Sequence, residues 1–164
     1  KDYMRFLLRS TNEHGILSPF VFSLVTKGLY ASQEEWRGKK KSSVFMERIV
    51  AYFKPKKAVF FSNKPQNLDV LSYSHAEMKE GDEVDFIFID ETSRLGVEEL
   101  AVCLSKLKND AFVVIDKRAR QDATQALWDG VVKSDAVSVS IDFYFYGMGF
   151  VRKEQLKQHF IVRL

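Results

Sequence analysis

The sequence predicts a single α/β domain built on an open, mostly parallel sheet with an antiparallel C-terminal edge, and three observations carry that expectation. The runs 58–61, 84–90 and 111–116 are apolar almost throughout, as strands covered on both faces must be. Between the second and third runs, apolar residues recur at helical spacing, which is the pattern of a strand, helix, strand crossover. Near the end, Val137, Val139, Ile141, Phe143 and Phe145 alternate with Ser138, Ser140, Asp142, Tyr144 and Tyr146, a period of two that marks a strand.

Taken in order, Ser18-Pro19 reads as an N-cap followed by proline at the first helical position. Val21, Leu24, Val25, Gly28 and Leu29 then recur as one helical face. Ser43 is expected to cap a second helix whose apolar face is Phe45, Met46, Ile49, Val50 and Phe53, and Lys54-Pro55 stops it. Residues 1–55 are therefore the N-terminal helical part and 56–164 the sheet with its flanking helices. Ala58 to Phe61 is the first strand, and Val97, Leu100, Ala101, Leu104 and Leu107 mark the crossover helix, where Cys103 packs. A later helix turns Ala123, Ala126, Leu127 and Trp128 inward. Gly147 and Gly149 are expected to bend the chain, so that Phe150-Val151 returns as an antiparallel partner before a short helix and the closing stretch from Phe160 to Leu164.

Composition narrows the function classes. A chain of 164 residues with 46% hydrophobic and 29% charged residues is long enough for a real core and is far from disordered compositions. Fourteen Phe, six Tyr and two Trp favour strands and a dense interior. The formal net charge of +3 is too small to imply a nucleic-acid or membrane partner, and the basic run Arg37, Lys39, Lys40 and Lys41 reads as a solvated loop rather than a phosphate-binding patch. Cys103 is the only cysteine, so no disulfide closes within the chain, and a reducing, cytoplasmic setting is expected. The first ten residues carry charges every few positions, unlike a secretory signal, and no stretch reaches the roughly 18 apolar residues that span a bilayer.

The residues with chemical potential lie at strand ends. Ligands of open parallel sheets bind outside the carboxyl ends of the strands, and two predicted strands end in Asp90 and Asp116. These carboxylates either form a metal-binding or acid/base pair or simply cap the turns that follow. Lys117 places an ammonium where a metal would want a third oxygen, so an ion pair neutralising the carboxylates is expected and no metal is. His14, His75 and His159 have no zinc spacing, and no Gly-x-Ser-x-Gly elbow or glycine-rich phosphate loop occurs. After the first strand the chain reads Ser62-Asn63-Lys64-Pro65-Gln66-Asn67. A nucleotide-binding loop needs glycine there for close backbone approach, and none is present.

Two stretches carry a family likeness. His14-Gly15-Ile16-Leu17-Ser18-Pro19-Phe20-Val21-Phe22 resembles the N-terminal signature of bacterial class I S-adenosylmethionine-dependent methyltransferases related to the O-methyltransferases, with Leu17 where a second histidine commonly stands. Ile141 to Gly149, Arg152 to Gln155 and His159 to Leu164 resemble that family's final strands and tail. The resemblance implies a Rossmann-like methyltransferase sheet in which the Asp90 and Asp116 strands are the fourth and fifth. It also implies departures. The glycine-rich loop should fall at Ser62, Asn63 and Lys64 and is absent, and the acidic residue that would hold the cofactor ribose has only Asp69 as a poor candidate. About two dozen residues separate the first strand from the Asp90 strand, too few for two further strand and helix pairs. The expectation is a degenerate member, shortened in its cofactor half, with no bound cofactor and a role in binding a second copy or another protein. The alternative is an active O-methyltransferase-like enzyme that binds S-adenosylmethionine in a rebuilt pocket.

Overall fold

The computed structural model describes residues 2–12, 15–65, 68, 72–74 and 83–164. Among the described residues, seven strands form one sheet: β1 (Ala58–Phe61), β2 (Ser72–Ser74), β3 (Phe86–Ile89), β4 (Phe112–Asp116), β5 (Val139–Asp142), β6 (Tyr146–Phe150) and β7 (Gln158–Ile161). Their order is β2-β1-β3-β4-β6-β5-β7. Strands β2, β1, β3 and β4 run parallel, and β6 is antiparallel to both β4 and β5. The antiparallel pairing thus falls in the C-terminal part of the sheet, while β7 adds a parallel strand outside β5. Beyond β7, Thr11 bridges Val162, with the Thr11 N–H donating to the Ile161 carbonyl at 2.9 Å and Arg163 N–H to the Thr11 carbonyl at 3.0 Å.

The sheet is covered on both faces, which is why β3 and β4 bury every residue. One face meets the N-terminal helices. Ser18 caps α2 (Pro19–Ser23), its hydroxyl accepting from the Val21 N–H, and the helix widens into a π-helical run, Leu24–Leu29. Helix α3 (Phe45–Phe53) follows and ends on Lys54 in the left-handed conformation at φ 49°. These elements place Val21, Leu24, Leu29, Phe45 and Ile49 against Phe86, Phe88, Phe112 and Val114. The other face meets α4 (Val97–Ser105) and α5 (Asp122–Lys133), whose Leu100, Leu104, Leu127, Trp128 and Val131 cover Ile87, Ile89, Val113 and Ile115.

Several local expectations are corrected. The N-cap of α3 is Val44, because the Ser43 hydroxyl donates instead to the Lys40 carbonyl at 2.7 Å and closes a turn. In α5, Ala123 and Ala126 are exposed and Thr124 and Val131 take the inward positions beside Leu127 and Trp128. The segment 152–157 is turn rather than helix.

The alternating run also breaks earlier than its pattern suggests: the chain leaves β5 at Asp142, turns at Tyr144 with φ 72°, and re-enters the sheet at Tyr146. The Tyr144 N–H donates to the Asp142 carboxylate at 2.7 Å, an Asx-type closure that makes the turn. Gly147 and Gly149 therefore lie inside β6, and they are there for space. A Cβ on Gly147 would sit 2.4 Å from the Trp128 ring, and one on Gly149 would sit 2.5 Å from Val131. Although the alternation places Tyr144 and Tyr146 on its polar side, neither forms an exposed face. Tyr146 is in the core, stacked on Phe45 at 4.2 Å, and Tyr144 is half-buried against Tyr3 and Phe6. Those two rings belong to α1 (Asp2–Arg9), a helix of only eight residues, which is too short for its periodicity to stand out in the sequence.

Candidate functional site

Strand alternation decides which side chains meet at the carboxyl ends of the strands. Phe60, Phe88 and Val114 face the N-terminal helices, so the residues two positions on, Ser62, Asp90 and Asp116, continue along that face. Asp90 and Asp116 are both 2% exposed. Each is already satisfied. Asp90 accepts from the Ser62 hydroxyl at 2.6 Å, the Thr92 N–H at 2.8 Å and the Thr92 hydroxyl at 2.5 Å. Asp116 receives Arg118 in a forked pairing, with Nε 3.0 Å from both oxygens and Nη2 2.6 Å from one, and it also accepts the Arg118 backbone N–H at 3.0 Å. The two acids therefore close the turns that follow their strands, and a guanidinium occupies the position a cation would take beside Asp116. Among the described residues, no three His, Cys, Asp or Glu side chains form a metal-binding group.

The expected pairing of Lys117 with these acids is corrected. One residue after Asp116, its side chain points to the opposite face of the sheet, where its ammonium donates to Asp142 at 2.8 Å and lies 5.1 Å from the centre of the Trp128 ring. Lys117 is 8% exposed, and burial lowers its pKa more than the Asp142 carboxylate raises it.

The loop where glycine is missing is tied down. In doubly wound sheets the ligand crevice opens where neighbouring connections leave in opposite directions. Here that point lies between β1 and β3, because the chain goes from β1 outward to β2 and then across to β3 on the other side. Three contacts bridge it. Ser62 donates to Asp90, the Asn63 N–H donates to the Thr92 hydroxyl at 2.7 Å, and the Lys64 ammonium pairs with Glu91. The Lys64 N–H also turns inward to the Ser62 hydroxyl at 3.0 Å. Backbone donors that would face a cofactor are thus used within the protein, and the hydrogen bond to Glu91 raises the Lys64 pKa. Gln66, Asn67, Asp69, His14 and His75 lie outside the described residues, and between β1 and β3 the described residues hold the three-residue strand β2.

His159 sits on β7, where its Nδ1 is 2.8 Å from the Ser140 hydroxyl. Ser140 is buried on the strand, so the pair joins β5 to β7 rather than presenting a nucleophile. Burial lowers the His159 pKa.

Sequence reasoning missed a cleft on the Lys117 side of the sheet. It measures about 560 Å³ and lies between α1, the first turn of α5 and the ends of β4 and β5. Arg5, Arg9, Lys117 and Arg120 line it with Asp2, Asp122 and Asp142, and Tyr144, Phe6 and Ile161 contribute apolar surface. Arg120 pairs with Asp2 at 3.2 Å and hydrogen-bonds the Tyr144 hydroxyl, which fastens α1 to the turn after β5. The residues come from four separate segments. Lys117 was singled out in the sequence by its place after Asp116, whereas Arg5 and Arg9, four apart, are readable as a pair only once α1 is known as a helix.

Comparison with protein-family models, curated proteins and solved structures finds no match to this chain. Among the described residues, no helix is long and apolar enough to cross a membrane.

Proposed function

We propose that this chain is a degenerate S-adenosylmethionine-dependent methyltransferase-like domain, one that keeps a Rossmann-like sheet, has lost the usual cofactor site, and acts by binding. The observation that carries the proposal is the bridged crevice between β1 and β3. Ser62, Asn63 and Lys64 bond across it to Asp90, Thr92 and Glu91, in the place where a dinucleotide-type fold leaves backbone donors for its ligand. Further support comes from Asp116, whose carboxylate is taken by Arg118, and from the outer side of β1, where a single short strand stands among the described residues. The doubly wound order places two strands there. A reducing, cytoplasmic setting suits the lone thiol of Cys103, which burial holds above its ordinary pKa and so keeps protonated.

The test is a calorimetric titration of the whole chain with S-adenosylmethionine, repeated at a second temperature. No heat of binding is expected at millimolar cofactor. Micromolar binding, equivalent to about 8 kcal/mol, would overturn the proposal and favour an active O-methyltransferase-like enzyme with a rebuilt pocket.

A further inference from the structure

We infer that the cleft between α1 and α5 is a binding site for a small phosphate monoester, held by Arg5, Arg9 and the first-turn amides of α5. The inference rests on the proposed role as a binding domain and names the ligand class for it.

Charge accounting in the lining comes first. Asp142 is committed to Lys117 and to the Tyr144 N–H, and Asp2 is committed to Arg120. Arg5 and Arg9 form no ion pair with a carboxylate among the described residues, yet both line the cleft. They stand one turn apart on α1, so their guanidinium groups share a face and reach the same space. Asp122 is the remaining acid, and it is exposed at the first residue of α5, where the helix dipole favours it.

The second contribution is the opening of α5 itself. The helix runs for twelve residues, and its N-cap Gln121 supplies no side-chain acceptor. Its first internal bond is from the Gln125 N–H to the Gln121 carbonyl. Gln121, Asp122, Thr124 and Gln125 all line the cleft, so the uncapped turn opens onto the same volume as the two arginines. Amides at a helix start and forked guanidinium groups are complementary to phosphate oxygens.

Size and wall chemistry then select an ester. A volume of about 560 Å³ lies within the range of small-molecule sites and is far larger than an inorganic anion needs. Phe6, Tyr144 and Ile161 offer apolar contact for an organic body beside the cationic end. A phosphate monoester carries three terminal oxygens, enough to engage two guanidinium forks and a helix start together. A carboxylate has only two.

The experiment titrates the whole chain at constant ionic strength with phenyl phosphate, inorganic phosphate and benzoate. It compares the native protein with the Arg5→Gln/Arg9→Gln double variant and with Arg37→Gln, a change in a distant exposed loop. Both α1 arginines are exposed, so the double variant keeps the core intact, which unfolding by circular dichroism checks. Submillimolar binding of phenyl phosphate is expected, with about a hundredfold loss in the double variant, none in Arg37→Gln, and at least tenfold weaker binding of benzoate. Amide resonances of residues 121–125 are expected to shift on saturation. No saturable heat up to about ten millimolar, or equal affinity in the double variant, would overturn the site. Benzoate binding as tightly as phenyl phosphate would overturn the phosphate assignment, and inorganic phosphate matching the ester would overturn the role of the apolar wall. Titrating S-adenosylmethionine into the same double variant separates the two proposals. Cofactor binding that survives the double substitution defeats the lost-cofactor proposal alone, and phosphate failure without cofactor binding defeats the cleft alone.

Discussion

Asp90 and Asp116 follow directly on the paired residues Ile89 and Ile115 of neighbouring strands, with Lys117 next in the chain, and their fates differ because side chains alternate across a sheet. The acids share the face of the N-terminal helices, and the lysine crosses to the other. At this scale the partner of a buried carboxylate matters more than its position. Arg118 is half exposed, so its pairing with Asp116 is screened on one side, but the carboxylate it serves is buried. Arg118→Ala is expected to destabilise the fold by about 1–2 kcal/mol, read from urea unfolding, since Asp116 keeps only the Arg118 backbone donor. An effect within about 0.3 kcal/mol of zero would mean that water replaces the guanidinium at no cost. Both carboxylates already accept hydrogen bonds within the protein, from Ser62 and Thr92 at Asp90 and from Arg118 at Asp116. Asp90 and Asp116 were legible as a strand-end pair in the sequence because both follow apolar runs. Thr92 and Arg118, each two residues on, fit the turn-closing role the sequence offered, but Ser62 was not legible as a partner, because it lies 28 residues from Asp90 and meets it only through the parallel register of β1 and β3.

At the scale of elements, β6 shows how neighbours choose residues. Its glycines read as a bend when the sequence is taken alone, since glycine in a strand interior weakens it. In the fold they sit beneath α5, opposite Val113 and Ile115, and the missing side chains let Trp128 and Val131 approach the sheet. The turn is made instead by Tyr144, whose positive φ is held by Asp142 and by Phe6 and Tyr3 packing from α1. Gly147→Ala is expected to cost about 1–3 kcal/mol by forcing the indole of Trp128 out of place, with a lowered melting temperature and altered tryptophan fluorescence. Unchanged fluorescence together with native stability would show that α5 can retreat freely. The strands β1, β3 and β4, the crossover helix α4 and the Ser18-Pro19 helix start were readable because each depends on a local pattern that burial enforces. Helix α1 was not, because its eight residues bury none fully and its reason to form is the surface of another element.

For the whole molecule, Asp85 links parts that are distant in sequence. Its carboxylate accepts the N–H groups of Lys56 and Lys57 at 2.8 and 3.0 Å, just before β1, and pairs with Lys108 just before β4. Burial pushes the Asp85 pKa up, but the Lys108 pairing and the two backbone donors outweigh it and hold the value below the ordinary 3.8. A depressed carboxylate stabilises the fold above its unfolded pKa, and that contribution is lost as pH falls through the folded value. Asp85→Asn is therefore expected to lower stability near neutral pH by about 1–2 kcal/mol, with the difference from the native protein shrinking below about pH 4. A gap that stays constant down to acid pH would remove the ionic part of this account. Such a tie holds the amino ends of the parallel strands, opposite the rim that carries the bridged crevice and the cleft.

By itself the sequence determined the layered α/β architecture, the parallel runs and the absence of glycine directly after β1, because apolar period, proline and glycine act over a few neighbouring residues. Tertiary structure alone decided that Lys117 faces away from Asp116, that Ser62, Asn63 and Lys64 reach across to the β3 loop, and that Arg5, Arg9 and the start of α5 enclose one cleft. The physical reason is that a side chain's direction follows from local backbone geometry, whereas its partner follows from strand order and helix packing, which no short stretch of chain encodes.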